Sequence, residues 1–257
     1  MSRHRTEILG VPIDVVNWRT ALTAVEQQLN APIARRCVIA VNPEKVIRAQ
    51  SDPRLLAAMR RAVLLIPDGI GVVAAARLLG LGHMQRVPGS ELMPRICELA
   101  ACRGDGVYLF GASETVNKQA AAALARAYPT LRVAGRHHGY VAEPEMSRIV
   151  EDINASGARI LFLALGSPRQ ELWMERHLAH TSVALCQGVG GTFDVLAGAV
   201  KRAPPLFIRL NLEWLYRLLS QPQRLLRQSA LPKFALQVLA AYVMRVGGDA
   251  APPRRGA

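Results

Sequence analysis

Leu64 to Val73 reads LLIPDGIGVV, an apolar run that stops at Pro67-Asp68-Gly69 and gives way to a helical pattern. A short, continuously apolar run fits a strand buried on both faces. The aspartate just past its end then stands at the mouth of a strand-to-helix turn, where an open α/β sheet gathers its ligand and catalytic groups.

The same arrangement recurs along the chain. Val38 to Val41 ends in Asn42-Pro43, Val107 to Phe110 in Gly111-Ala112-Ser113, and Ile160 to Leu165 in Gly166-Ser167-Pro168. Val183 to Cys186 ends in Gln187-Gly188, followed by Val189-Gly190-Gly191. Five apolar runs, each followed by a small or polar turn and an amphipathic helical pattern, predict an α/β fold: a Rossmann-like parallel sheet with helices on both faces. The turns then converge on one edge, at the carboxyl ends of the strands, in a single cleft.

With 257 residues, 51% of them hydrophobic, the chain can bury a full core. Its start, MSRHRTEILGVPIDVV, has no apolar stretch of the signal-peptide kind, and no run approaches the roughly 20 apolar residues of a spanning helix. A cytoplasmic protein is expected. Cys37, Cys97, Cys102 and Cys186 form no C-x-x-C pair and read as buried thiols rather than a disulfide framework or zinc site.

The net charge of +13 is uneven, because residues 201–257 carry ten Lys and Arg against Glu213 and Asp249. The strand-turn-helix alternation also ends near Val200. We therefore expect a catalytic α/β domain over 1–200, a C-terminal basic amphipathic helical appendage over 201–245 and a disordered tail over 246–257. Within the appendage Leu210, Trp214, Arg217, Gln221, Arg224 and Arg227 recur at spacings of three and four. Such a segment can lie on an anionic membrane surface. It can also pack on the core with snorkelling arginines. Nucleic-acid binding is disfavoured, since aromatic residues are few and no recognition motif is present.

Gly188-Val189-Gly190-Gly191 is not a dinucleotide fingerprint, because position 193 holds Phe193 where the third glycine belongs, and no P-loop occurs. A glycine turn opening a helix still suits a phosphate or a hydroxylated ligand, with Thr192 and Asp194 just inside it. Each candidate also has a purely structural reading. Asp68 could cap the helix from Ile70, Asn42 the helix opened by Pro43, and Ser90 the helix after Arg86; Ser167-Pro168-Arg169-Gln170 matches a capping box. His137-His138 has no second His or Cys cluster, so no metal site is expected there. The chain also lacks an Asp-x-Asp pair, so no metal cofactor is expected, and arginines and helix N-termini must neutralise any diphosphate.

Taken in order, VNPEKV, IPDGIGVV, RVPGSEL, FGASETV, HHGY, LGSPRQELW, GVGGTFDVLAG and RAPPLFIRLNLEWLYRLLSQPQR resemble the WecG/TagA/CpsF family of glycosyltransferases, from about Val38 to Gln228. The resemblance implies inverting, metal-independent transfer of a sugar from a UDP-sugar to a polyprenyl-diphosphate-linked saccharide, on the inner face of the cell membrane. It implies Asp68 as base, Asn42 and Gln170 near the donor sugar, and Arg86 near the diphosphate. Tyr140 and Asp194 match positions lining the uridine pocket, Gly188, Gly190 and Gly191 the glycine turn, and Arg217, Arg224 and Arg227 the appendage that closes over the diphosphate. Family members can carry a threonine where this chain has Ala40, which leaves the sugar open. Homo-oligomers are possible on this reading. Two other readings stand beside it: a non-catalytic nucleotide- or polyanion-binding module, and a UDP-sugar hydrolase.

Overall fold

The computed structural model describes residues 4–31, 37–200, 204, 207, 216 and 229–249. The chain opens with an antiparallel hairpin, β1 (Arg5–Ile8) and β2 (Val11–Asp14), and helix α1 (Trp18–Asn30). Then come β3 (Cys37–Val41), α2 (Pro43–Ala49), α3 (Pro53–Arg61), β4 (Leu64–Pro67), α4 (Ile70–Leu78) and α5 (Gly89–Arg103). The second half runs β5 (Gly106–Gly111), α6 (Glu114–Ala127), β6 (Arg132–His137), α7 (Met146–Ala155), β7 (Ile160–Ala164), α8 (Arg169–His177), β8 (Leu185–Gly188) and α9 (Thr192–Leu196). A last helix, α10, spans Ala230–Asp249.

Six strands form one sheet in the order β4-β3-β8-β7-β5-β6, and every pairing in it is parallel. Alternation along the strands divides the core in two. Ile39, Val41, Leu65, Phe110 and Leu163 point to the side covered by α2, α3, α4, α7, α8 and the hairpin. Val38, Leu64, Ile66, Leu109 and Phe162 point to the side of α1, α5, α6 and α9. Because both faces are covered, the central strands are buried throughout and read as unbroken apolar runs.

Two elements differ from the five strands expected. β6, with sequence RVAGRH, is an edge strand whose residues are half-buried or exposed, so it lacks the apolar signature. The β1–β2 hairpin turns through Leu9 and Gly10, both at positive φ, and lies outside the main sheet. It is anchored by Asp14, which takes a bidentate grip from Arg5 (2.7 and 3.0 Å) and the Leu65 N–H at 2.8 Å.

From β3 the chain turns toward β4, whereas after β8 it turns back through α9 onto α6. Adjacent strands β3 and β8 therefore send their connections apart. Crevices open at such a switch point, outside the carboxyl ends of the strands.

Most of 201–228, including Arg217, Arg224 and Arg227, lies outside the described residues. α10 packs along α2, with Phe234 and Val238 buried in the core and Gln50 donating to Gln237 at 2.8 Å. Arg245 donates to the Leu79 carbonyl at the end of α4. The helix runs through Asp249, across the boundary expected at 246. Its outward side carries Leu236, Val243 and Val246, with Tyr242 and Met244 beside them, all exposed. That side of α10 is apolar rather than basic.

Three cysteines are buried, and burial pushes Cys37 up to about 11 and Cys97 up to about 12. Cys102 is exposed, correcting the expectation that all four are buried.

Candidate active site

A cleft of about 930 Å³ opens at the carboxyl ends of β3, β4, β7 and β8. The first residues of α2, α4, α5, α8 and α9 all stand at or beside its lining. Helix N-termini direct unpaired N–H groups and partial positive charge outward, so their convergence favours a polyanion. Arg48 and Arg86 line the same cleft, with Glu44 and Asp68 as its carboxylates.

Asn42 and Asp68 are held side by side. The Asp68 N–H donates to the Val41 carbonyl at 2.9 Å, continuing the pairing of β3 with β4 beyond the strands. A side chain on Gly71 would meet Pro43 Cγ at 2.7 Å, so glycine there lets α2 and α4 begin in contact. Asn42 is the N-cap of α2, its Oδ1 accepting from the Lys45 N–H at 2.8 Å. The capping reading of Asn42 therefore holds, and it coexists with a place in the cleft.

For Asp68 the capping reading needs correction. The N-cap of α4 is Gly69, with no side-chain hydrogen bond. Asp68 reaches across the cleft floor instead, its Oδ1 accepting from the Gly89 N–H at 2.8 Å in the first turn of α5. The Gly89 carbonyl in turn accepts from Gln187 Nε2 at 2.9 Å. Arg86 donates to the Asp68 carbonyl oxygen at 3.3 Å, which places a guanidinium beside the carboxylate. Ser90 is not the cap of α5, because the helix begins one residue earlier and its N-cap is Pro88.

Ser167 does not cap α8 either. The N-cap is Pro168 and the helix has no side-chain cap bond, so the sequence match to a capping box fails. Gln170 is thereby available for another task. It is buried, with Oε1 accepting from the Gly190 N–H at 3.2 Å and Nε2 donating to Glu171 Oε1 at 3.0 Å. Gly190 adopts φ +52 and Gly166 φ +76, left-handed conformations that suit glycine.

The structure adds two residues that the sequence reading passed over. Lys45 and Glu171 form an ion pair of 2.6 Å, with side-chain exposures of 5% and 0%. Burial alone would raise the Glu171 pKa. The Lys45 ammonium and hydrogen bonds from Lys45, Gln170 and Ser167 outweigh it and hold the carboxyl below its ordinary range. Glu171 directly follows Gln170 and Lys45 stands three residues after Asn42, but a Lys and a Glu in helical first turns read by default as solvated.

Asn42, Asp68, Arg86, Gln170, Gly188, Gly190 and Gly191 thus share one cleft. Tyr140 and Asp194 do not line it. Tyr140 follows β6 at the far edge of the sheet and is 75% exposed, while Asp194 lies in the first turn of α9 next to cleft residue Thr192. Beyond the polar floor, Ile70, Ala74, Leu78, Leu231, Phe234 and Leu239 make one wall apolar, so α4 and α10 supply a surface suited to hydrocarbon. Among the described residues no three His, Cys, Asp or Glu side chains come together as metal ligands.

Comparison with known proteins places this geometry in context. The profile of the glycosyl transferase WecG/TagA/CpsF family matches residues 6–247. The chain is 37% identical over 204 residues to an N-acetylglucosaminyldiphosphoundecaprenol N-acetyl-beta-D-mannosaminyltransferase of Bacillus spizizenii, covering 79% of this chain and 78% of that one. It is 35% identical over 217 residues to the enzyme of the same name from Bacillus subtilis, covering 84% of this chain and 81% of the relative.

Proposed function

The chain belongs to the WecG/TagA/CpsF family of glycosyltransferases, and from that membership we propose that it moves N-acetylmannosamine from a UDP-sugar to a polyprenyl-diphosphate-linked N-acetylglucosamine, with inversion and without metal. The observation that carries the proposal is Asp68, a carboxylate tied to the start of α5 and set among converging helix N-termini beside Arg86.

Direct displacement at the anomeric carbon needs a base for the acceptor hydroxyl proton and positive charge for the departing diphosphate. Asp68 takes the proton as the new C–O bond forms. The electron pair of the breaking C–O bond leaves with UDP, whose charge is stabilised by Arg86 and the N–H ends of the surrounding helices. Asn42 and Gln170 hold the donor sugar. The apolar wall of α4 and α10 receives the lipid side of the acceptor, and the exposed apolar side of α10, with the basic residues of 201–228, rests on an anionic bilayer. No helix among the described residues is long and apolar enough to cross a membrane, so the association proposed is peripheral.

The reading is tested by incubating the protein with a panel of UDP-sugars and a synthetic lipid-diphosphate-N-acetylglucosamine, with and without EDTA, and weighing the products. One added N-acetylhexosamine, formed equally with EDTA, is expected, because the chain has no Asp-x-Asp pair to hold a divalent ion against the diphosphate. Transfer that stops with EDTA and returns with Mg²⁺ or Mn²⁺ contradicts the metal-free mechanism.

Gly188→Ala provides a local check. A Cβ there would stand 2.5 Å from Gln170 Nε2 and 2.9 Å from its Cδ, so the amide must move. Displacing a group that positions the donor is expected to lower turnover on the order of 10²-fold. The accompanying loss of stability is about 1–3 kcal/mol, typical of overpacking. Unchanged steady-state kinetics would remove Gln170 from the site.

A further inference from the structure

Five groups join the loops after β3, β7 and β8 into one chain of hydrogen bonds. Asn42 Oδ1 accepts from the Lys45 N–H, and the Lys45 ammonium donates to Glu171 Oε1. Glu171 Oε1 also accepts from Gln170 Nε2, and Gln170 Oε1 accepts from the Gly190 N–H. Asn42 and Gln170 line the cleft, whereas Glu171 is fully buried behind them.

The chemistry of the two ends dictates the order of atoms between them. A carboxylate only accepts hydrogen bonds and a backbone N–H only donates them. Gln170, placed between the two, must turn Nε2 to Glu171 and Oε1 to Gly190. Its remaining N–H is then what the side chain has to offer a ligand. Asn42, with its carbonyl committed to the Lys45 N–H, is fixed in the same sense. Had residue 171 been a glutamine, either face of the Gln170 amide could be satisfied.

A buried carboxylate needs a partner, and Lys45 supplies it from α2. The absence of a side chain at Gly188 leaves room for the amide in this one setting. We propose that Lys45 and Glu171 are positioning residues, which lock the Gln170 amide with its remaining N–H toward the oxygen atoms of the bound donor, beside an Asn42 amide already fixed by its capping bond. The donor named here rests on the transferase reading above; the lock itself is a property of the network.

The test is a cycle of variants on the full chain. Lys45→Met/Glu171→Gln removes both charges together, so neither is left buried alone, and replacing a buried pair as a unit is often neutral for stability. Melting temperature and UDP affinity should stay near wild type while kcat falls on the order of 10²-fold, the effect of a loosened positioning group. Combining that pair with Gln170→Leu should cost nothing beyond Gln170→Leu alone, because residues acting through one group are not additive. Should the pair fold poorly, Lys45→Met/Glu171→Leu enters the same cycle. Losses that multiply independently, or a pair variant with wild-type kcat, overturn the proposal.

A second readout does not depend on activity. In protein labelled with side-chain ¹⁵N-glutamine, the Gln170 amide, identified by its loss in Gln170→Leu, should show protons that exchange slowly with solvent. In the pair variant they should exchange rapidly. If wild type transfers from no UDP-sugar yet shows this ordered amide, the functional reading fails and the lock stands. An amide equally ordered in both proteins overturns the lock whatever the activity.

Discussion

Asp68→Asn is expected to slow sugar transfer by roughly two to four orders of magnitude, the usual worth of general base catalysis. UDP affinity and melting temperature should stay near wild type. The asparagine keeps an oxygen for the Gly89 N–H, so the tie between β4 and α5 survives. What it loses is affinity for a proton. Steady-state kinetics, calorimetric UDP binding and thermal unfolding on one preparation separate the outcomes. Near-normal turnover removes Asp68 as the base. A fall in melting temperature that parallels the loss of activity makes it a structural tie alone.

The second large effect concerns α10, whose two sides should be separable by mutation. On the inner side Phe234 and Val238 are buried against the core, and Phe234 also lines the cleft. Phe234→Ala should cost about 3 kcal/mol of stability. It should also reduce transfer even to a short, soluble acceptor analogue, because the wall of the cleft is then incomplete. On the outer side, Leu236, Val243 and Val246 are exposed and stand outside the cleft lining. Changing these three to serine should leave transfer to the soluble analogue intact. Binding to anionic vesicles, followed by sedimentation, should weaken, since apolar burial at the interface is lost. If the outer-face variant binds vesicles as wild type does, α10 is a packed wall and not a membrane surface.

The sequence made the interior of the sheet legible because parallel strands covered on both faces read as apolar runs; β3, β4, β5 and β7 obey that rule, and β8 does so up to its one polar residue, Gln187. β6 escaped it as a half-exposed edge strand, and the hairpin because its strands, RTEI and VPID, are broken by charged residues and a proline. The cleft residues were legible for a related reason. Asn42, Asp68, Gln170 and the glycines of 188–191 each follow a strand that the pattern reveals, and a parallel sheet delivers such positions to one edge.

What remained hidden are interactions whose partners are far apart in the chain. Capping motifs are local, so Asn42 was read correctly from its own neighbours. Asp68 instead bonds a helix twenty-one residues onward, and Lys45 finds Glu171 across 126 residues. No spacing rule predicts either. The apolar wall contributed by α10 was hidden as well, because Leu231 and Phe234 reach the cleft only through the packing of α10 on α2, far away in the chain.

Acceptor dependence is the most direct test of the central claim, that this cleft transfers a sugar rather than only binding or hydrolysing a nucleotide. UDP released from UDP-N-acetylmannosamine should be measured over time with and without the lipid-diphosphate-N-acetylglucosamine analogue, and the new linkage read by NMR. The account predicts release that requires the acceptor, matched one for one by a product of inverted anomeric configuration. Equal release without acceptor would show a hydrolase, and no release from any UDP-sugar in either reaction would show a binding module; each contradicts the account.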